Sequence, residues 1–473
     1  MSYRDDARAA VDLLAAYLDD SRAGAGAVLR QPPMRDLAEA LGIECFVRDG
    51  GLEGDALRSF LVRYLDATTR LHHPGYMAHQ VATPHPSGSI GSLVDGLTNN
   101  AMAIYEMGPP AATIELMLLN WMLAKVGFKP SPVPPAHAAP GELHGGGVLV
   151  HGGSLANLTA LLAARARVDP NAWRDGARRD LVLLVPASAH YSNARAAGVM
   201  GLGRAGVREL PADGSGRTIP SGVADALDAA AREGKTVLAV VANACCTATG
   251  VYDPLREIAA VCRARGAWLH VDGAHGASAL VSDRLRSRLD GVELADSIVW
   301  DAHKMLRAPT VCAAVLVRDA STLDRAFEQE ASYLFHEKDQ PGYDFLHRTV
   351  ECTKAGLGLR LFLALAAEGE RGAARHVERQ VALAVEAAAI LRAAGLEVAV
   401  EPESNIVCFR APGDDARQLE LRRQLVEAGR FYVSTTAHAG RRWLRLALMS
   451  PATEARHVRE LAAEVLVLAG DAR

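Results

Sequence analysis

The pattern of hydrophobic and polar positions divides the chain into three parts. Helical apolar stripes occupy the beginning of the chain, one of them starting near Ala9 and another covering residues 52–67. From Val148 onward, short β-branched runs alternate with helical segments. The predicted strands of this part are 148–150, 181–185, 237–241, 268–271, 297–300 and 312–317. Such alternation predicts an α/β fold, with a mostly parallel sheet that is covered by helices on both faces.

The segments on either side of this alternation are mainly helical. Periodicity predicts helices over 90–102 and 111–126, and the proline- and glycine-rich residues 129–147 predict an irregular surface connection. After Thr353 the chain favours long helices, including 371–394, with strands at 396–400, 406–410 and 444–448 and a last helix from Thr453. We therefore predict an N-terminal helical segment (1–86), a large domain (87–352) and a small α+β C-terminal domain (353–473).

Composition and charge narrow the class of protein. The 473 residues are 49% hydrophobic and 22% charged, with a net charge of −4 that gives no reason to expect a nucleic-acid partner. No apolar run reaches the length of a membrane span, and the acidic N-terminus is unlike a signal peptide. Seven scattered cysteines without a CxxC pair favour a reducing compartment, so we predict a cytoplasmic protein.

Four histidines punctuate a loop at residues 72–86. Their positions are His72, His73, His79 and His85. These spacings match no common zinc pattern, so we predict no metal site.

A single lysine, Lys304, follows the predicted strand 297–300, with Asp301 and His303 beside it. An ammonium at the end of a buried strand loses its hydration, which is costly unless the amine is paired or used covalently. A Schiff base with a cofactor is one such use. Taken alone, however, a lysine in this position is more often a partly exposed residue at a strand end.

Two further strand ends carry candidate binding groups. Gly152, Gly153 and Ser154 follow a strand and open a helix, which is typical of an anion site but also of an ordinary turn with a serine cap. Asp272 ends the 268–271 strand, where it either caps a helix or pairs with a buried cation. Together with Lys304, these groups would match the three anchors of pyridoxal phosphate: its phosphate, its ring nitrogen and its aldehyde.

The chain resembles the group II pyridoxal-phosphate decarboxylases of fold type I, which act on glutamate, cysteine sulfinate, aromatic amino acids or diaminobutyrate. The resemblance is carried by the segments HHPGYMAH, NNAMAIYEMGPPA, HGGSLANLTALLAAR, HVDGAHG, ADSIVWDAHKML, ASYLF and LRLALMSPA. It covers nearly the whole chain and implies a seven-stranded, mostly parallel sheet and a homodimer with pyridoxal phosphate as cofactor.

The resemblance also implies roles for individual residues. Lys304 would bind the cofactor covalently, Asp272 would pair with its ring nitrogen and His190 would stack on its ring. The remaining cofactor contacts would be Gly153, Ser154, Thr247, Ala274 and His303. Tyr333, which lies 29 residues after Lys304 in a polar loop, would return a proton to the substrate carbon once CO2 has left.

Several departures leave the substrate open. Cys245 and Cys246 stand where relatives usually carry glycine and threonine, and Gly273 replaces an alanine. The GGSLAN, YEM and ASYLF segments resemble the branch that acts on acidic amino acids, whereas His79 resembles the diaminobutyrate and lysine branch. Arg445 would position a carboxylate in any branch.

We therefore predict an amino-acid decarboxylase that favours an acidic or a diamino substrate. The alternatives are an oxidative deaminase that releases CO2 and an aldehyde, an aminotransferase of the same fold and, least favoured, a non-catalytic scaffold.

Overall fold

A computed structural model describes residues 2–133, 142–327 and 342–470. The chain forms two compact units. The terminal unit comprises Met1–Thr83, Leu383–Glu401 and Asn405–Arg473, and the central unit comprises Pro84–Ala382 and Pro402–Ser404. The division into three domains at residues 86 and 352 stays a prediction.

The central unit contains helices and strands in alternation. Its helices are α5 (Pro86–Thr98), α6 (Pro109–Val126), α7 (Gly153–Val168), α8 (Ala172–Asp175), α9 (Ser192–Val199), α10 (Pro220–Arg232), α11 (Leu255–Ala264) and α12 (Ser321–Ala326). Its strands are β1 (Gly146–Val150), β2 (Leu181–Pro186), β3 (Val207–Leu210), β4 (Thr236–Asn243), β5 (Leu269–Asp272), β6 (Ser297–Asp301) and β7 (Ala313–Val317). Helix α13 (Gly358–Ala393) begins in this unit and is interrupted at Gly369, whose φ is 68°.

These strands form one seven-stranded sheet in the order β1-β7-β6-β5-β4-β2-β3. Strands β2 to β6 pair in parallel, whereas β7 runs antiparallel to both of its neighbours. Strands β1, β2, β5, β6 and β7 are buried along their whole length, as expected for a sheet covered on both faces. The predicted α/β fold with a mostly parallel sheet is confirmed.

The glycine-rich end of the predicted connection is not irregular. Gly146 and Gly147 open the buried strand β1, where Gly146 pairs with Val317 of β7. A Cβ atom on Gly147 would lie 2.5 Å from the carbonyl oxygen of Val315. These glycines therefore permit a close approach of two strands, and the prediction of a loop through residue 147 was wrong at this end.

Helix α5 ends earlier than its apolar pattern predicted. The periodicity favoured a helix to Met102, but the chain leaves the helix at Asn99, which has the left-handed φ of 50°. Asparagine tolerates this conformation better than most residues, and it commonly ends helices.

The terminal unit combines N-terminal helices with a second sheet. Its elements are α1 (Tyr3–Arg22), α2 (Met34–Leu41), α3 (Ile43–Asp49), α4 (Gly54–Ala67), β8 (Glu397–Val398), β9 (Ile406–Arg410), α14 (Asp415–Ala428), β10 (Ser434–His438), β11 (Arg441–Ala447) and α15 (Ala455–Gly470). The four strands form an antiparallel sheet in the order β10-β11-β9-β8. Phe409 of β9, Leu444 of β11, Leu421 of α14 and Leu461 of α15 share one buried apolar core. This confirms the expected α+β character of the C-terminal part.

Among the described residues, no helix combines the length and apolar character needed to cross a membrane.

Candidate active site

A cavity of about 170 Å³ lies where several strands of the central sheet end. Its walls come from the segments that follow β1, β2, β4, β5 and β6. The lining residues are Gly153, Ser154, Asn157, His190, Cys245, Thr247, Asp272, Ala274, His275, Asp301 and Lys304. In open α/β sheets, ligands bind at this carboxyl edge because the connecting segments diverge there.

Lys304 lies in the connection between two paired antiparallel strands. Asp301, the last residue of β6, pairs with Ala313, the first residue of β7. Inside this connection, the Ala308 N–H donates to Ala302 O at 3.1 Å and the His303 N–H donates to Cys312 O at 3.0 Å. The lysine is therefore held in a loop that is closed by the sheet and braced by its own backbone.

The Lys304 ammonium pairs with a buried carboxylate. Its Nζ lies 3.0 Å from Asp301 Oδ2, and the two side chains are 19% and 2% exposed. The other carboxylate oxygen, Asp301 Oδ1, has no hydrogen-bond partner among the described residues. A buried polar atom without a partner is unusual, which marks this corner of the cavity as a place where a ligand group belongs.

Asp272 offers a second buried carboxylate at the end of the neighbouring strand β5. Its Oδ2 accepts hydrogen bonds from Asn157 Nδ2 at 3.0 Å and Asn193 Nδ2 at 3.3 Å, and Oδ1 accepts one from the Ala274 N–H at 3.3 Å. Three donors thus fix the orientation of this carboxylate at the cavity wall.

His190 follows β2 and lies half-buried beside both carboxylates. Burial lowers the pKa of His190, and nearby Lys304 acts in the same direction, while Asp272 and Asp301 oppose the shift. The Nδ1 atom of His190 lies 2.8 Å from Ser192 Oγ. The ring therefore tends to be neutral at pH 7 and is held at one edge.

The N-terminus of helix α7 forms another wall of the cavity. Gly152 precedes the helix with a φ of 96°, a conformation that favours glycine. At Gly153 a Cβ atom would lie 2.7 Å from Asp301 Oδ2, so this position also requires a residue without a side chain. The first amides of the helix and its positive dipole end can bind an anion.

The groups around the cavity fit pyridoxal phosphate. Lys304 offers an amine, Asp272 a carboxylate, and α7 a helix N-terminus next to Ser154. These are the partners that an aldehyde, a basic ring nitrogen and a phosphate require. We would place the cofactor among these residues.

The structure brings most of the predicted cofactor residues together. Seven of them line the cavity: Gly153, Ser154, His190, Thr247, Asp272, Ala274 and Lys304. His303 does not line it; its Nδ1 lies 2.9 Å from Cys312 O, and its Nε2 lies 3.8 Å from Asp301 Oδ2. Tyr333 lies outside the described residues.

The two predicted substrate residues belong to the terminal unit. His79 Nε2 lies 2.9 Å from the Tyr432 hydroxyl, and a guanidinium nitrogen of Arg445 donates to Ala78 O at 3.2 Å. Burial lowers the pKa of His79, and the positive charges of Arg445 and Arg422 lower it further.

Sequence reasoning missed four residues that line the cavity: Asn157, Cys245, His275 and Asp301. Asn157 follows Gly153 by four residues on α7, so the helical period places both on one face. That spacing was available in the sequence. Cys245 and Asp301 were noted as neighbours of predicted residues but were given no role.

Comparisons with known proteins agree with this geometry. The model of the pyridoxal-dependent decarboxylase conserved domain matches residues 66–412. Acidic amino acid decarboxylase GADL1 of Mus musculus is 31% identical over 396 residues, which cover 82% of this chain and 69% of that protein. Cysteine sulfinic acid decarboxylase of Homo sapiens is 32% identical over 357 residues, covering 74% of this chain and 69% of that protein.

A crystal structure of mouse CSAD has the same fold, with a TM-score of 0.87 and 26% identity over 99% of both chains. The resemblance inferred from the sequence motifs is confirmed. The chain therefore belongs to the pyridoxal-dependent decarboxylase family, and it is an amino-acid decarboxylase whose cofactor is pyridoxal phosphate.

Proposed function

We propose that the protein removes CO2 from an acidic L-amino acid and releases the corresponding amine. The observation that carries this proposal is the convergence of Lys304, Asp272 and His190 on one cavity at the carboxyl edge of the central sheet. The acidic preference is supported by the relatives, whose names include acidic amino acid decarboxylase and cysteine sulfinic acid decarboxylase.

Each of these three residues has a distinct task. The Lys304 amine would hold the cofactor covalently through its aldehyde. The Asp272 carboxylate holds a proton on the ring nitrogen of the cofactor, because a buried negative charge stabilises a neighbouring positive one. The bound cofactor then supplies an electron sink for the pair that is left when CO2 departs.

His190 and helix α7 position the cofactor. The imidazole of His190 covers the ring and excludes water, a task for which a flat and neutral ring is suited. Gly153, Ser154 and the α7 amides bind the phosphate, with Thr247 and Ala274 as further contacts. In the structure the His303 ring lies against Asp301 and Cys312. Its contact with the phosphate therefore stays a prediction.

The substrate preference can be tested by product analysis. Purified protein would be incubated with aspartate, glutamate, cysteine sulfinate, 2,4-diaminobutyrate, lysine and an aromatic L-amino acid. We expect kcat/KM to be at least about 100-fold higher for an acidic substrate than for the diamino and aromatic ones, because a site built for a charged group rejects substrates without it. A preference for 2,4-diaminobutyrate or lysine would overturn the acidic assignment.

Arg445 and His79 stay the predicted substrate-binding residues. Arg445→Gln should lower kcat/KM for acidic substrates, because it removes a buried guanidinium that can pair with a carboxylate. Arg442, a partly exposed arginine near the start of the same strand, gives the matched control as Arg442→Gln. Equal effects of the two substitutions would contradict a role for Arg445 in substrate binding.

Tyr333 is proposed to return a proton to the substrate carbon after CO2 has left. Tyr333→Phe should reduce amine formation by roughly 10²–10⁴-fold, the range for a lost general acid. Oxygen uptake and carbonyl product should rise as a share of the remaining turnover. If the unmodified protein consumes oxygen with each CO2 released, oxidative deamination is its reaction instead.

We also propose that the active unit is a homodimer. Helices α1, α3 and α4 expose large apolar side chains, including Val11 (53%), Leu14 (52%) and Val47 (83%), which a second copy would cover. Sedimentation of a fully active monomer would contradict this. A cytoplasmic location stays a prediction.

A further inference from the structure

Asn157 is the branching point of a buried hydrogen-bond chain in the wall of the cavity. The side chain is 1% exposed and contacts three groups. Its Nδ2 lies 3.0 Å from Asp272 Oδ2 and 2.9 Å from Ser192 Oγ, and its Oδ1 lies 2.9 Å from His270 Nε2. One amide thus binds the Asp272 carboxylate and starts two hydrogen-bond paths. One path leads directly to His270, and the other leads through Ser192 to His190.

The orientation of this amide follows from its partner. The ionised Asp272 carboxylate can only accept hydrogen bonds, so the nitrogen of the Asn157 amide must face it. The Asn157 oxygen then faces His270 Nε2. An amide oxygen can only accept, so His270 must carry its proton on Nε2.

Burial lowers the pKa of His270 to about 4, with Asp272 opposing the shift, so this ring is neutral at pH 7. A neutral ring with its proton on Nε2 has an accepting Nδ1. Ser297 Oγ lies 2.8 Å from that Nδ1 and therefore donates to it, while it accepts a hydrogen bond from Trp268 Nε1 at 2.9 Å. The donor and the acceptor of each hydrogen bond in this path are therefore defined.

The second path leads to His190. Ser192 Oγ accepts from Asn157 Nδ2 and lies 2.8 Å from His190 Nδ1. The backbone N–H of Ser192 also points at this Nδ1, at 3.3 Å, and a backbone N–H can only donate. His190 Nδ1 must therefore accept, which leaves the single proton of the neutral ring on Nε2.

We propose that Asn157 is a positioning residue that fixes both the Asp272 carboxylate and, through Ser192, the neutral Nε2–H form of His190. This inference rests on the proposed roles of Asp272 and His190. A charged imidazole would need a proton on Nδ1, where two donors already point. The hydrogen-bond chain would therefore keep positive charge off the His190 ring, while the same amide would hold the Asp272 carboxylate that pairs with the ring nitrogen of the cofactor.

The test measures the protonation of the histidines directly. Holoenzyme labelled with ¹⁵N-histidine would be studied through two-bond ¹H–¹⁵N correlations at pH 7.5, with His190→Asn and His270→Asn used to assign the signals. We expect both rings to show a neutral pattern with the proton on Nε2. A proton on Nδ1 of either ring in the unmodified protein would overturn the inference.

Two variants and a matched control distinguish the effect of lost hydrogen bonds from general effects of altered packing. Ser192→Ala removes one of the two donors that point at His190 Nδ1 and leaves the backbone N–H in place, so His190 should titrate at a higher pH while His270 is unchanged. The other charged groups that face His190 are Asp272, Asp301, Lys304 and Arg195, and Ser192→Ala alters none of them. Ser278→Ala removes another buried hydroxyl, one that accepts from Trp300 Nε1 at 2.9 Å, and should leave both histidines unchanged.

Asn157→Asp replaces the donating amide by an acceptor of the same shape. Both histidine patterns should change, and the cofactor should dissociate with a Kd that is roughly 10- to 100-fold higher, the effect of one lost hydrogen bond to a charged group. If this variant does not fold, Ser192→Ala decides alone. Unchanged His190 signals in Ser192→Ala would refute the inference. If the unmodified enzyme shows no preference for acidic substrates, only the proposed function is refuted.

Discussion

Among the described residues of the central unit, two lysine–carboxylate pairs with a buried carboxylate are similar in distance but opposite in setting. Lys354 Nζ lies 2.8 Å from Glu115 Oε2, and both side chains are fully buried. The other oxygen, Glu115 Oε1, accepts hydrogen bonds from the N–H groups of Leu357 at 2.6 Å and Gly358 at 3.1 Å. Lys354 donates in addition to Ala355 O at 3.0 Å. This pair holds the start of α13 and has both carboxylate oxygens satisfied.

The Lys304–Asp301 pair is incomplete by comparison. Lys304 remains 19% exposed and faces the cavity, and Asp301 Oδ1 lacks a partner among the described residues. The difference shows that burial alone does not tell whether an ion pair has a structural or a chemical role. A pair with every oxygen satisfied stabilises the fold, whereas a pair with an unsatisfied atom beside a cavity is available for chemistry.

The largest effect is expected for Lys304→Ala. Amine formation should be abolished because no other amine in the cavity lining can attach the cofactor. The free energy of unfolding of the cofactor-free protein should change by only about 1 kcal/mol, because the Asp301 carboxylate borders the cavity, whereas the Glu115 carboxylate is fully enclosed. Product assays and urea unfolding would be done on the same preparation. Amine formation by the variant at the wild-type rate would refute the role of Lys304.

Lys354→Met should lower stability but leave activity unchanged, the opposite of Lys304→Ala. It leaves the Glu115 carboxylate buried without its cation, so the cofactor-free protein should lose roughly 3–5 kcal/mol of stability. The protein that remains folded should keep its kcat. The double variant Lys354→Met/Glu115→Leu should recover part of the loss, since it removes both charges. If the single variant is as stable as the wild type, the comparison between the two pairs fails.

A third buried group, His376, tests whether a missing partner alone implies chemistry. Its Nε2 has no hydrogen-bond partner among the described residues, and burial lowers its pKa to about 3, with Arg307, Arg379 and His85 acting in the same direction. Between pH 3 and pH 6.5 the unfolded state binds more protons at this site than the folded state, so stability falls as the pH falls. His376 should therefore account for about 2–3 kcal/mol of the stability lost by pH 4.5.

The substitution His376→Gln removes this titration. It should flatten the dependence of unfolding midpoint on pH below about 6.5 while leaving amine formation at pH 7.5 unchanged. Loss of activity at pH 7.5 in a stably folded variant would mean that His376 takes part in the chemistry after all.

The smallest effect is expected for Asp301→Asn. The amide oxygen of asparagine can still accept a hydrogen bond from Lys304, so only the charge of the acceptor is lost. A charge-assisted bond exceeds a neutral one by about 1 kcal/mol, so kcat/KM should fall by roughly 3- to 10-fold. Steady-state kinetics would measure this, with the exposed surface substitution Asp283→Asn as control. A fall as large as that of Lys304→Ala would show that Asp301 has a chemical role of its own.

Local sequence patterns predicted the buried strands well because their residues are apolar on both faces. Strands β1, β2, β4, β5, β6 and β7 follow β-branched runs that leave little ambiguity. Strand β3 has the sequence VREL and lies at the edge of the sheet with one exposed residue, so its apolar signal is weak. Strand β10, with the sequence STTAH, was missed for the same reason.

The candidate site was predictable where a residue type is rare at its position. Lysine and aspartate at the ends of buried strands, Lys304 and Asp272, stand out from any apolar background. Asn157 does not, because asparagine is common near helix starts and its three partners come from distant segments. Its role becomes visible only when the fold brings His270, Ser192 and Asp272 around one amide.

The closed connection around Lys304 has a consequence for local unfolding. Because Asp301 pairs with Ala313 and the segment between them is braced by backbone hydrogen bonds, the lysine cannot leave its place unless β6 and β7 separate. These strands are buried in the middle of the sheet, where opening requires a free energy close to that of global unfolding. The hydrogen-bonded amide protons of His303, Lys304, Arg307 and Ala308 should therefore exchange with deuterium as slowly as those of the sheet itself, and partial opening elsewhere should leave the lysine in place.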